Sequence, residues 1–288
     1  MEIRTDLAME AKSLWEKSAG RTTKLKGVVA KERACDGVPI TQVDILDGEG
    51  AKALGKPVGS YVTMELPRRP GQLEQLAKVL ARELQSLLTL REEDPVLVVG
   101  LGNTAVTPDA IGPKSAEGIF VTRHLIDQLP EYFGSLRCVS ALSPGVLANT
   151  GVESLEIVRA VAEKVKPKCV IAIDALAAGA PERLCRTVQL SDSGIVPGSG
   201  VGNGRMGFNR KTLGVPVCCV GVPTVLDAAM FSEDRAKTEG MIVTPKDIDG
   251  QVTFLSGLIS TGVNLALHPG LSYEEIAQFM PNYARAVM

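Results

Sequence analysis

The sequence predicts an α/β protein: a doubly wound, mostly parallel sheet with an antiparallel meander added near the N-terminus. Three observations predict it. Apolar, Val-rich runs at 95–101 and 169–174 lack the alternation of a half-exposed strand, as expected where helices cover both faces of a parallel sheet. From residue 95 onward strand-like and helix-like stretches alternate, the rhythm of βαβ units. Residues 25–65 instead break into short alternating stretches punctuated by Asp-Gly and Gly-Lys-Pro, the pattern of antiparallel strands joined by turns.

Taken in order, residues 6–19 predict a helix with Leu7, Ala8, Ala11, Leu14 and Trp15 on one face, Thr5 as N-cap and Gly20 as stop. The meander follows, with strand-like stretches at 26–31, 40–45 and 60–66. Helix 71–92 carries Leu73, Leu76, Leu80, Leu84, Leu87 and Leu88 on one stripe. Then come strand 95–101, helix 115–129, strand 137–142, helix 152–166, strand 169–174, a strand near 185–190 and strand 215–222. Three helices, 225–237, 248–267 and 272–284, complete the chain. Without an internal repeat or linker, residues 1–288 read as a single domain, with 25–65 as an embellishment of its sheet.

The 288 residues suffice to bury a sizeable core. Thirty-one basic residues against 33 acidic ones create no field that would draw the chain to nucleic acid or anionic lipid. Apolar runs stop short of the roughly 20 residues that span a bilayer. The opening Met-Glu-Ile-Arg-Thr-Asp-Leu has no apolar core of a signal peptide, so a cytoplasmic location is expected. Six cysteines include no C-x-x-C pair and several sit in apolar runs, which predicts buried free thiols. With only His124 and His268, a His-rich zinc site is not expected, and His124 reads as a helix-surface or packing residue. No cofactor is expected.

Gly100-x-Gly102-x-x-Ala105 superficially matches a dinucleotide fingerprint, but Pro108 and Pro113 stand where that motif needs a helix to begin at once. The most glycine-dense loop, 191–205, suits a backbone clamp on substrate through Gly198, Ser199, Gly200, Gly202 and Asn203, or a surface loop. Asp109, Asp174 and Asp227 each follow an apolar strand. Any one alone reads as a turn or helix-cap aspartate. Strand ends that share one sheet edge, however, can bring carboxylates together where α/β proteins place ligands. A close carboxylate pair cannot easily hold two charges. One member keeps a proton, which supplies both a base for water and an acid for a leaving group. The same pair could instead ligate a divalent cation.

With these segments assembled, the chain resembles the germination protease (GPR endopeptidase) family of spore-forming Firmicutes. The resemblance rests on Ile3-Arg-Thr-Asp-Leu-Ala-Met-Glu-Ala, on Val99-Gly-Leu-Gly-Asn with Val106-Thr-Pro-Asp-Ala-Ile-Gly-Pro, and on Val121-Thr-Arg-His-Leu. It continues through Pro144-Gly-Val with Thr150-Gly-Val-Glu, Ile171-Ala-Ile-Asp-Ala-Leu-Ala and Asp192-Ser-Gly-Ile-Val-Pro-Gly-Ser-Gly-Val-Gly-Asn. Gly221-Val-Pro-Thr-Val-Leu-Asp-Ala and Val243-Thr-Pro-Lys-Asp-Ile close the series. It implies a fold similar to that of hydrogenase-maturation proteases and an endopeptidase, an atypical aspartic peptidase, that degrades small acid-soluble spore proteins in the spore core during germination. It also implies a homotetramer, a zymogen that clips its own N-terminus, and catalytic aspartates at Asp109 and Asp174. Thr5-Asp6-Leu7-Ala8 is similar to the family's substrate consensus, so self-cleavage is expected between Asp6 and Leu7, with 1–6 as propeptide. Two alternatives are a metal-dependent peptidase using the same carboxylates and a non-catalytic binder of spore proteins.

Overall fold

The computed structural model describes residues 5–19, 25–67, 73–202, 204–231, 235–238 and 240–280. Helix α1 (Ala8–Ala19) leads into the hairpin β1 (Val28–Cys35) and β2 (Val38–Ile45), helix α2 (Gly48–Leu54), β3 (Gly59–Glu65) and α3 (Leu73–Leu87). Next come β4 (Val96–Gly100), a 3-10 turn at Thr107–Asp109, and the helices α4 (Ile111–Glu117), α5 (Arg123–Gln128) and α6 (Pro130–Phe133). The chain continues through β5 (Val139–Leu142), α7 (Leu147–Thr150), α8 (Ser154–Val165), β6 (Cys169–Ala178), β7 (Thr187–Ser191) and α9 (Arg210–Leu213). It ends with β8 (Val217–Asp227), β9 (Ile242–Val243), α10 (Ile248–Leu267) and α11 (Tyr273–Phe279).

All the strands join one sheet, in the order β1-β2-β3-β7-β8-β6-β4-β5, with β9 pairing the far end of β8. The pairings β8–β6, β6–β4 and β4–β5 are parallel. The meander β1-β2-β3 is antiparallel and reaches this parallel group through β7. As expected, it is added to the main sheet.

Each face of the parallel group buries alternate residues of the same strands. Val96, Val98, Ile171, Ile173, Val220 and Val222 pack against α3 and α10. Leu97, Val99, Val170, Ala172 and Cys219 pack on the other face against Leu155 and Val158 of α8 and Phe208. Burying each large aliphatic side chain contributes about 1.5–3 kcal/mol. Helix α1 covers the meander, with Ala8 against Val43, Ile45, Leu54 and Tyr61. All six cysteines are free, four of them buried.

Four differences from expectation have local causes. Residues 225–237 do not form one helix. Strand β8 runs to Asp227 because β6 continues beside it to Ala178 and β9 pairs with Leu226 and Asp227. Two 3-10 turns follow, at Ala228–Phe231 and Arg235–Thr238. The expected helix 115–129 is two helices separated at Gly118, because the Asn264 side chain captures Gly118 O and Phe120 N–H, both at 2.9 Å. Pro113 lies inside the first turn of α4 rather than in a loop, a position where its missing N–H costs nothing. Helix α2 was not anticipated: its glycines read as a turn, but Asp47 caps it by accepting the N–H groups of Glu49 and Gly50, each at 2.9 Å. The expected helix 71–92 stops at Leu87; residues 71–72, and 281–284 of the expected helix 272–284, lie outside the described residues.

Candidate active site

Strands β4 and β6 pair in register from Val96 with Cys169 to Gly100 with Ile173. The chains therefore pass the end of β4 at one level, tied by the Leu101 N–H donating to Ile173 O at 2.8 Å. Asp174 is the next residue of β6. Its side chain is 4% exposed, and one carboxylate oxygen accepts the Ala175 N–H at 2.9 Å.

Asp109 arrives from the β4 side in the Thr107–Asp109 turn, which is held from three directions. The Asn103 N–H donates to the Asp109 carboxylate at 2.8 Å and to its carbonyl at 3.1 Å. Thr224 of β8, fully buried, donates its hydroxyl to Pro108 O at 2.7 Å. Gly102, at φ 120°, leaves room for this approach, since a Cβ there would lie 3.2 Å from the Asp109 carboxylate and closer still to its carbonyl. Behind the turn, Gly112 of α4 rests directly on the Gly100–Leu101 backbone.

The two carboxylates line one cavity of about 360 Å³. Its walls are apolar at Leu101, Val106, Phe208 and Val225, with Glu153 and Arg205 among its charged residues. Burial raises the Asp109 pKa, partly offset by the Asn103 N–H. Asp174 is pushed well above the ordinary carboxylate range, first by complete burial, then by the charge of Asp109, and to a smaller degree by Asp6. Both carboxyls are thus pushed toward the protonated form, Asp174 the more strongly.

Asp6 is the third aspartate on this cavity. Its backbone N–H donates to Ala177 O at 2.9 Å, and its carboxylate accepts the Ala177 N–H at 2.8 Å and the Ser199 hydroxyl at 2.9 Å. Gln189 of β7 donates to Asp6 O at 3.0 Å and accepts the Ala8 N–H at 2.8 Å, so one carboxamide spans Leu7. Leu7 is fully buried. On the outer side Lys56 donates to Thr5 O at 3.1 Å. Burial lowers the Lys56 pKa, against the pull of Asp6 and Glu10. Glu10 is buried too; its carboxylate accepts the Thr5 hydroxyl and, at 2.6 Å, the Gly179 N–H.

A family model described as "Germination protease" matches residues 5–238, a stretch containing every group above. The chain belongs to the germination protease family. It is 42% identical over 322 residues to a germination protease of Caldanaerobacter subterraneus, covering 96% of this chain and 98% of that one. To a germination protease of Clostridium tetani it is 42% identical over 325 residues, covering 97% and 100%. To that of Priestia megaterium it is 44% identical over 243 residues, covering 81% and 65%. Among solved structures, a NiFe hydrogenase maturation protease from Thermococcus kodakarensis aligns with a TM-score of 0.34 at 15% identity, over 63% of this chain and 98% of that one.

In this member of the germination protease family the expected residues separate clearly. Asp109 and Asp174 come together. Asp227 does not join them: its carboxylate accepts the Ala229 N–H at 2.9 Å, an ordinary turn contact. His124 is exposed on α5. Gly198 and Gly200 line the cavity and Ser199 reaches Asp6, whereas Gly202 ends the 3-10 turn at φ 76° without lining it. Asn203 lies outside the described residues. The expected helix 6–19 begins at Ala8, so the Asp6–Leu7 bond precedes it. Sequence reasoning missed Gln189, Ala177 and Thr224 as supporting groups. The approach of Asp6 to a strand 171 residues away leaves no local pattern. Among the described residues, no three His, Cys, Asp or Glu side chains gather as a metal site, and no helix is long and apolar enough to cross a membrane.

Proposed function

We propose that this chain is an endopeptidase that hydrolyses small acid-soluble spore proteins during germination, with Asp109 and Asp174 acting on a water molecule. One observation carries the reading: Asp174 of β6 and Asp109 of the turn after β4 share a cavity in which burial and like charge favour a proton on Asp174. Asp109, ionised, takes a proton from water as its oxygen attacks the scissile carbonyl carbon. Asp174 gives its proton to the leaving nitrogen as the C–N bond breaks, and proton exchange resets the pair. Family membership supports the germination role and the spore-protein substrate.

The same reading includes self-cleavage between Asp6 and Leu7, with 1–6 as propeptide, and assembly as a homotetramer in the spore core. Support for the cleavage point is that Asp6 already lies on the cavity of the aspartate pair. The test is hydrolysis of a small acid-soluble spore protein by the parent, Asp109→Asn and Asp174→Asn, each with and without chelator. Loss of roughly 10²–10⁴-fold in both variants, with the parent indifferent to chelator, is expected. Full activity in either variant refutes the pair, and chelator-dependent activity makes the same carboxylates metal ligands. A matured N-terminus other than Leu7 refutes the cleavage point.

A further inference from the structure

We infer that the buried carboxylate of Glu10 is a receiving site for an α-ammonium group, the one that cleavage after Asp6 creates on Leu7. The inference rests on the self-cleavage reading above and adds what becomes of the new chain end.

Glu10 lies in the first turn of α1 and is 8% exposed. One of its oxygens, Oε2, accepts the Thr5 hydroxyl and, at 2.6 Å, the Gly179 N–H just past the end of β6. The other, Oε1, is buried with no hydrogen-bond partner among the described residues. A carboxylate oxygen left unpaired in the interior is costly, and burial accordingly raises the Glu10 pKa. The neighbouring cations are engaged elsewhere: Arg183 pairs with Glu65 at 2.7 Å, and Lys56 donates to Thr5 O.

The uncut chain already holds the future amine next to this carboxylate. The Leu7 N–H donates to the Thr5 hydroxyl at 3.0 Å and that hydroxyl donates to Glu10, so a single oxygen atom stands between the two groups. Hydrolysis of the Asp6–Leu7 bond puts the OH of water on the Asp6 carbonyl carbon and its proton on the Leu7 nitrogen. The new Asp6 carboxyl gives up the second proton, so Leu7 ends as an ammonium with three donors. Loss of residues 1–6 takes Thr5 out of the gap. Leu7 itself stays: its side chain is fully buried, its carbonyl accepts the Ala11 N–H at 3.1 Å, and Gln189 holds the next N–H, that of Ala8. A positive charge at the start of α1 opposes the helix dipole, and a carboxylate in the first turn offsets it. The pair thereby keeps α1 joined to Gly179, five residues beyond Asp174, after the Thr5 link has gone.

The test takes the full-length chain, allows it to mature and sequences the N-terminus. The pKa of the Leu7 amine is then read from the pH dependence of its labelling by acetic anhydride, folded and in urea, in the parent and in Glu10→Gln. Burial without a partner lowers an amine's pKa and a carboxylate partner raises it, so the sign decides. Lys56, from the loop after α2, and Arg183, from the turn after β6, push the same way as burial; Glu182 is the other acid facing Glu10. In the folded parent the amine is expected about one unit above its value in urea, which slows labelling near pH 8 roughly tenfold. Glu10→Gln, which still offers an oxygen to the Gly179 N–H, should lose that rise. If the variant fails to fold or to mature, the sign in the parent decides alone. Leu7 at the N-terminus with an amine pKa at or below its urea value, or a rise that Glu10→Gln leaves unchanged, overturns the site and leaves self-cleavage standing. A different N-terminus removes the cleavage reading and this inference with it.

Discussion

Replacing Gly112 by Ala should damage stability and chemistry together. The added Cβ would stand 2.5 Å from Leu101 N, about 0.9 Å inside the 3.4 Å of ordinary contact, and closer still to the carbonyl oxygens of Leu101 and Ile173. Those atoms include both ends of the 2.8 Å hydrogen bond that ties the end of β4 to β6. Neither strand can yield, because the same residues are buried on both faces. Helix α4 must retreat instead, by close to 1 Å, and it draws Asp109 with it through the turn that directly precedes it. Overpacking of this kind costs about 1–3 kcal/mol, and weakening the bond adds about 1 kcal/mol, so a loss of roughly 2–4 kcal/mol is expected. A 1 Å displacement of a reacting group costs on the order of 10²-fold in rate. Urea unfolding and peptide hydrolysis on one preparation read both effects. A Gly112→Ala protein within about 0.5 kcal/mol of the parent and with parental kcat would refute the close helix–strand contact as the device that sets Asp109.

Asp174→Asn, expected to be inactive, should be more stable than the parent near neutral pH. A carboxyl whose folded pKa is raised holds its proton more tightly folded than unfolded. Its contribution is fully present below the ordinary carboxylate pKa and is lost as pH rises toward the raised value. Thermal melts from pH 4 to 8 should therefore show a fall in the parent that flattens in Asp174→Asn; parallel curves would contradict the assignment. Asn264→Ala should lower unfolding free energy by about 2–4 kcal/mol, because it strands Gly118 O and the Phe120 N–H in the core; a urea midpoint near the parent's would count against that. Gly250→Ala, on an exposed turn of α10 with nothing within 4 Å, should stabilise by about 0.5–1 kcal/mol; a destabilised protein would mean the surface there is covered.

What could be read in advance followed from short-range pattern. Val-rich runs announced two strands, one ending in Asp174 and one followed by a turn that holds Asp109, and the parallel arrangement placed their ends at one sheet edge. Where contacts cross the chain, pattern was silent. Leu226-Asp-Ala-Ala-Met-Phe reads as the start of a helix, yet Leu226 belongs to a strand because Ala178 and Val243 lie on either side of it. Asp6 reads as the start of a helix and, through the resemblance, as the residue before a cleavage point; its hold on the Ala177 backbone has no local signal. Gln189 sits among ordinary strand residues, and nothing nearby signals that its amide faces another segment's backbone. The glycine loop was legible as a region but not by residue: Gly200 matters through the space it leaves, and Gly202 through its φ alone.

The sheet divides its labour along its width. Asp174 stands on the parallel strand β6 and Asp109 in the turn that follows β4, while Gln189, Lys56 and Ser199 come from the antiparallel side or its loops. Strand β8 is the seam between these two halves. Strand β6 joins the two roles, because it carries Asp174 and, three residues on, the Ala177 backbone that holds Asp6. Substitutions in the antiparallel half would then alter how residues 5–8 are held while leaving the strand that carries Asp174 in place.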